Sequence, residues 1–127
     1  MGYMKPPCEL AVREFLPSLR AAIVKELSET YHMKQQDIAH ALGITQASVS
    51  QYLNVERGKE ERFKKLEGFH ETVEQIADAI TSEDISRITI LKSICQLCTT
   101  LRKSEEFCRE HQEMLNITGC DICKSLE

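Results

Sequence analysis

The sequence predicts an all-α chain, and three observations predict it. Helix formers (Leu, Glu, Lys, Gln and Ala) dominate the 127 residues, against three prolines, five glycines and no Trp. Apolar residues recur at intervals of three and four, the period of a helix and not of a strand. The clearest turn signals, Gly43 and the polar run Asn54 to Lys59, fall between stretches with that period.

Residues 8–31 carry Leu10, Phe15, Leu16, Leu19, Ile23 and Leu27 on one helical face. Pro17 interrupts the stretch, and proline is tolerated in the first turn of a helix, so two helices are expected, 8–16 and 17–31. A helix pair follows at 34–42 and 45–53, divided by Gly43. After the loop, a long helix is expected over 60–81, with Phe63, Leu66, Phe69, Val73, Ile76 and Ile80 forming a near-heptad stripe. Ser82 is suited to cap a further helix bearing Ile85, Ile88, Leu91, Ile94 and Leu101. Two or three heptads suit a packed core as well as a dimer seam, and both readings stay open. Residues 116–119 break the pattern.

Apolar residues make up 42% and charged residues 28%, the balance of an ordinary globular chain. No apolar run reaches the roughly 20 residues of a membrane span, and Met1 to Pro7 contains no apolar signal core, so a cytoplasmic protein is expected. The formal net charge of −4 is unevenly spread. Residues 1–65 hold ten Lys/Arg and eight Asp/Glu, whereas residues 66–127 hold six and twelve. Contact with phosphate is therefore expected from the first half.

The most informative segment runs from Lys34 to Leu53. Ile38 and Leu42 share a face, and Ala39 beside them is small enough for a second helix to cross close by. Gly43 suits the left-handed residue that ends a helix, Ile44 fills the gap between helices, and Thr45 suits an N-cap. Val49 with Tyr52 or Leu53 returns the second helix to the core. Gln46, Ala47, Ser50, Gln51 and Asn54 then face outward. A glutamine amide can pair with adenine and an alanine methyl can touch a thymine methyl. Lys34, Arg57, Lys59, Arg62 and the hydroxyls of Thr45, Ser48 and Ser50 are placed for phosphates.

The pattern Gln35-x-x-Ile38-Ala39-x-x-Leu42-Gly43-Ile44-Thr45-x-x-x-Val49-Ser50-x-Tyr52-Leu53 resembles the phage-repressor-type (Cro/repressor, XRE) helix-turn-helix family. Pro7-Cys8-Glu9 and the long leading helices are similar to a group of archaeal regulators, some of which carry a thiamine-phosphate-synthase-like domain after the reader; this sequence has a cysteine-rich tail there. The resemblance covers about 60 residues. It implies that the second helix enters the major groove of double-stranded DNA, that Gln35 contacts phosphate and braces Gln46, and that Gln46 reads a base.

Six cysteines are many for a chain of this size, and the expected compartment argues against a disulfide framework. Cys95-x-x-Cys98 and Cys120-x-x-Cys123 are separated by 21 residues, with Cys108-x-x-His111 between them. Two such pairs meet the four-ligand demand of an iron–sulfur cluster, the expected cofactor, or of structural zinc, the alternative. Cys108 and His111 are further candidate ligands, and thiol redox chemistry or simple burial is the metal-free reading. Cys8 fits either a core residue or a ligand. No nucleophile–base pair, phosphate-binding glycine loop or paired carboxylates stand out, so no enzymatic activity is expected.

The expected organisation is a helix-turn-helix DNA-binding domain over 1–59 and a helical dimerisation and metal-binding region over 60–127. The expected function is sequence-specific transcriptional regulation by a homodimer whose metal centre senses redox state or iron. The competing expectation is a metal-stabilised protein-interaction module.

Overall fold

Pro17 shapes the first helix of the fold. The structure is a computed structural model and describes residues 6–54, 63–82 and 87–125. Helix α1 (Pro7–Leu10) opens with proline in its first turn, where a missing N–H goes unnoticed. It runs into a π-helical turn, Ala11–Phe15, and on into α2 (Leu16–Glu29). The N–H of Leu16 donates to the carbonyl of Ala11, five residues back. Pro17 has no N–H and its ring crowds the carbonyl four residues before it. A widened turn just ahead of the proline absorbs that conflict. The break expected between residues 16 and 17 is therefore not made, and the chain stays helical from Pro7 to Glu29.

Helix α2 lies at the centre. Its Leu19, Ala21, Ile23, Val24 and Leu27 are buried. Around it pack the π turn, α3 (Gln35–Leu42), α4 (Gln46–Leu53) and α5 (Phe69–Thr81). Phe15 is fully buried where these elements meet, edge-to-face with Phe63 at 5.3 Å and with Phe69 at 6.3 Å between ring centroids. One hydrophobic cluster thus contains residues from both sides of the boundary expected at 59/60.

The helix expected over 60–81 is interrupted at residues 65–68, and its second part is α5 from Phe69. Phe63 and Lys64 form a helical end, the chain turns through 65–68, and Gly68 takes a left-handed conformation (φ 84°) as N-cap of α5. Residues 60–62 lie outside the described residues. Gly68 was the available signal for this break, because glycine takes positive φ without strain. Of the expected stripe, Phe63, Phe69, Val73 and Ile76 are buried, and Leu66 and Ile80 pack partly buried against the same core. This stripe therefore serves the chain's own interior.

Ser82 closes α5: its N–H donates to the Asp78 carbonyl and its hydroxyl to that of Ala79; its expected role as a cap of the next helix, and the expected Ile85 on that helix, fall on residues 83–86, which lie outside the described residues. Helix α6 (Arg87–Lys103) buries Leu97 and Leu101, with Ile90, Ile94 and Cys98 partly buried. Ile88 and Leu91, expected on the inner face, are 64% and 60% exposed. The inward line is 90, 94, 97 and 101, rotated from the expected one, because α6 packs between α5 and α7 (Glu105–Leu115). Ser104 caps α7, accepting from the N–H of Phe107 at 3.3 Å. Phe107 and His111, one turn apart, are buried. A short 3-10 helix, Ile122–Ser125, packs on α6. Among the described residues there is no strand and no helix long and apolar enough to cross a membrane.

Candidate nucleic-acid interface and thiol groups

Helix α3 starts after Lys34, whose extended backbone accepts the N–H of Ile38. Ile38 is fully buried and Ala39 nearly so, as a close helix crossing requires. At the far end Gly43 is left-handed (φ 68°, ψ 33°). Its N–H donates to the His40 carbonyl at 3.3 Å, and the N–H of Ile44 donates to that of Ala39 at 3.0 Å. These are the two bonds of a Schellman cap, which satisfies carbonyls a helix end otherwise leaves open. A Cβ at Gly43 would meet nothing within 4 Å, so backbone conformation and not space calls for glycine here.

Thr45 then caps α4. Its Oγ1 accepts from the Ser48 N–H at 3.1 Å and donates to Ser48 Oγ at 2.9 Å. Val49 is fully buried, and Leu42, Ile44, Tyr52 and Leu53 pack partly buried on the core. With that face inward, Gln46, Ala47, Gln51 and Asn54 are exposed, and Ser48 and Ser50 are half-buried. Lys34 is exposed and Gln35 half-buried at the start of α3. No hydrogen bond links Gln35 to Gln46 among the described residues. Asn54 has a role the sequence reading missed: its Nδ2 donates to the Ser50 carbonyl at 3.0 Å, which commits the side chain to the end of α4. Arg57, Lys59 and Arg62 lie outside the described residues.

All six cysteines are free thiols. Cys95 and Cys98 are one turn apart on α6, exposed and half-buried, and Cys123 is buried on the 3-10 helix that packs there. Cys120 does not join them. The chain reverses after α7 through Asn116 (φ 55°), with the Ile117 N–H donating to the Gln112 carbonyl. That reversal lays Cys120 against α7, where its N–H donates to Gln112 Oε1 at 3.2 Å and its carbonyl receives the Cys108 thiol at 3.6 Å. Among the described residues, no three His, Cys, Asp or Glu side chains stand so that they could hold a metal ion. The expected set of Cys95, Cys98, Cys120 and Cys123, with Cys108 and His111 as additions, is thus not assembled.

A different neighbourhood surrounds Cys98. Burial pushes its thiol above the ordinary thiol range, Arg102 one turn on pulls it down, and the like-charging thiols of Cys95, Cys8 and Cys123 push it up further. Cys8 acts on the Cys98 thiol from α1, which packs against α7, and nearby Arg13 Nη2 donates to Met114 Sδ at 3.6 Å. Beside Cys98, the Nε of Arg102 is buried without a hydrogen-bond partner. Nothing local in the sequence signals that Cys8 belongs with residues 95–123.

No protein-family model matches the chain, and no curated protein or solved structure matches it either.

Proposed function

We propose that this protein is a sequence-specific DNA-binding transcriptional regulator that presents α4 to the major groove. One observation carries the reading. A Schellman-capped α3 and a Thr45-capped α4 bury Ile38, Ala39 and Val49 while Gln46, Ala47 and Gln51 stay exposed on the second helix. Those are amide and methyl groups suited to base edges. Lys34 and the Thr45 and Ser48 hydroxyls flank them for phosphates. The protein acts in the cytoplasm as a homodimer, and the exposed Ile88 and Leu91 on α6 are, with Val12 and Ile122, among the apolar residues available for that contact.

The cysteine-ligated centre, an iron–sulfur cluster or zinc, is carried forward with Cys98 as a donor; among the described residues no three ligating side chains stand so that they could hold a metal ion. The thiols would have to turn toward one another to bind.

Selection from a random duplex pool, followed by titration at two salt concentrations, tests the DNA reading. A sequence preference with affinity that falls as salt rises supports it. Absence of duplex binding at low salt overturns it and leaves the protein-interaction reading.

A further inference from the structure

Two polar contacts through Gln112 and one direct contact tie Cys108 to Cys120. Gln112 Nε2 donates to Cys108 Sγ at 3.1 Å, Gln112 Oε1 accepts from the Cys120 N–H at 3.2 Å, and the Cys108 thiol points at the Cys120 carbonyl at 3.6 Å. Standard bond lengths put the Cα of Cys120 about 2.4 Å from its own oxygen, so Cys108 Sγ lies within about 6 Å of that Cα. That places the Cys108 sulfur beside the residue that carries its partner thiol. Cys108 also lines an open groove of 370 Å³ with Arg109, Gln112, Thr118 and Lys124, which gives a small oxidant access to its sulfur. The pair is distinct from the thiols around Cys98, since Cys123 packs toward α6 while Cys120 is held on α7.

We propose that Cys108 and Cys120 form a reversible oxidation site that closes to a disulfide in response to hydrogen peroxide. In the first step the Cys108 thiolate attacks one peroxide oxygen. The O–O bond breaks, an S–O bond forms, and the departing hydroxide takes a proton and leaves as water. Cys108 is now a sulfenic acid, oxidised by two electrons, and the peroxide is reduced. In the second step the Cys120 sulfur attacks the Cys108 sulfur. The S–O bond breaks, the S–S bond forms, and the hydroxyl leaves as water with the proton from Cys120. Two thiols and one peroxide thus become one disulfide and two waters, and a dithiol reductant reverses the change. Gln112 acts as a positioning residue: its amide spans both partners and holds the 116–120 reversal over α7.

The test uses the full-length reduced protein, metal-stripped and monitored by far-UV circular dichroism. It is treated with one equivalent of hydrogen peroxide, alkylated, digested without reductant and mapped by mass spectrometry. The 108–120 disulfide is expected to be the first intramolecular bond, abolished by dithiothreitol. Cys120→Ser should instead accumulate a dimedone-trapped sulfenic acid at Cys108, and Gln112→Ala should slow closure several-fold. The proposal is overturned if Cys108 and Cys120 both remain alkylatable in the oxidised wild-type protein. It is equally overturned if the first bond is Cys95–Cys98 or Cys120–Cys123. The wild-type map needs no substitution, so a variant that fails to fold does not shelter the idea.

Discussion

Phe15 meets Phe63 edge to face, with ring centroids 5.3 Å apart and planes at 83°. Phe15 sits in the π turn ahead of Pro17, and Phe63 lies after α4 in the chain, so this contact joins residues from the two sides of α3 and α4. Phe15 also touches Phe69 and is fully buried. Phe15→Ala should cost about 3–5 kcal/mol through lost burial and a cavity. Because one core serves both halves, a single cooperative thermal transition should move to lower temperature. Two separate transitions in the wild-type protein would show that the halves fold independently.

The caps between α3 and α4 should have measurable and different costs. Thr45→Ala removes one bond to the Ser48 N–H and should cost about 1 kcal/mol. Gly43→Ala meets no atoms within 4 Å but must hold φ at 68°, a conformation that costs a non-glycine residue about 1–2 kcal/mol. Urea midpoints at constant m-value would report both. A neutral Gly43→Ala change would mean the turn relaxes.

Gln46 and Gln51 are exposed on α4. Gln46→Ala should weaken binding at the preferred duplex by about 1–3 kcal/mol while leaving nonspecific binding nearly intact. In competition anisotropy, equal weakening on all duplexes would argue against base reading. Asn54→Ala, by contrast, should act chiefly on stability, since that side chain is bonded to Ser50.

Metal binding by cysteines requires thiolates, so protons must leave as metal enters. Burial holds the Cys98 proton more tightly than an ordinary thiol does. Affinity should therefore fall as pH falls, with proton release on zinc addition seen by calorimetry in two buffers. Cys98→Ser should lower bound metal. An iron–sulfur centre would make the anaerobic protein brown and air-sensitive, whereas zinc would leave it colourless at about one ion per chain. Anaerobic protein without either metal would end this reading.

In the metal-free protein, Cys98 should be a slow thiol. The thiolate is the reactive form, and burial opposes its formation at Cys98, whereas Cys8 and Cys95 are exposed. Timed iodoacetamide labelling at neutral pH should modify Cys8 and Cys95 before Cys98, and labelling of Cys98 should accelerate as pH rises. In denaturant the three rates should converge; a difference that persists there would place its origin outside the fold.

The features between Lys34 and Leu53 were legible along the chain because each depends on near neighbours. A left-handed Gly43, a threonine ahead of α4 and the inward residues Ile38 and Val49 are set by bonds and spacings within a few positions. Gly68 carried the same kind of signal for the start of α5. The cysteines follow a different logic. Cys95-x-x-Cys98 and Cys120-x-x-Cys123 look alike as spacings, yet the reversal at Asn116 holds Cys120 on α7 with Cys108, while α1 brings Cys8 toward Cys98. Likewise Ile88 and Leu91 share the helical period of Leu97 and Leu101, but the angle at which α6 lies between α5 and α7 selects the line that is buried. Such choices depend on contacts between residues far apart in the chain, and a helical period cannot encode them: it defines a face and leaves the partner of that face to packing.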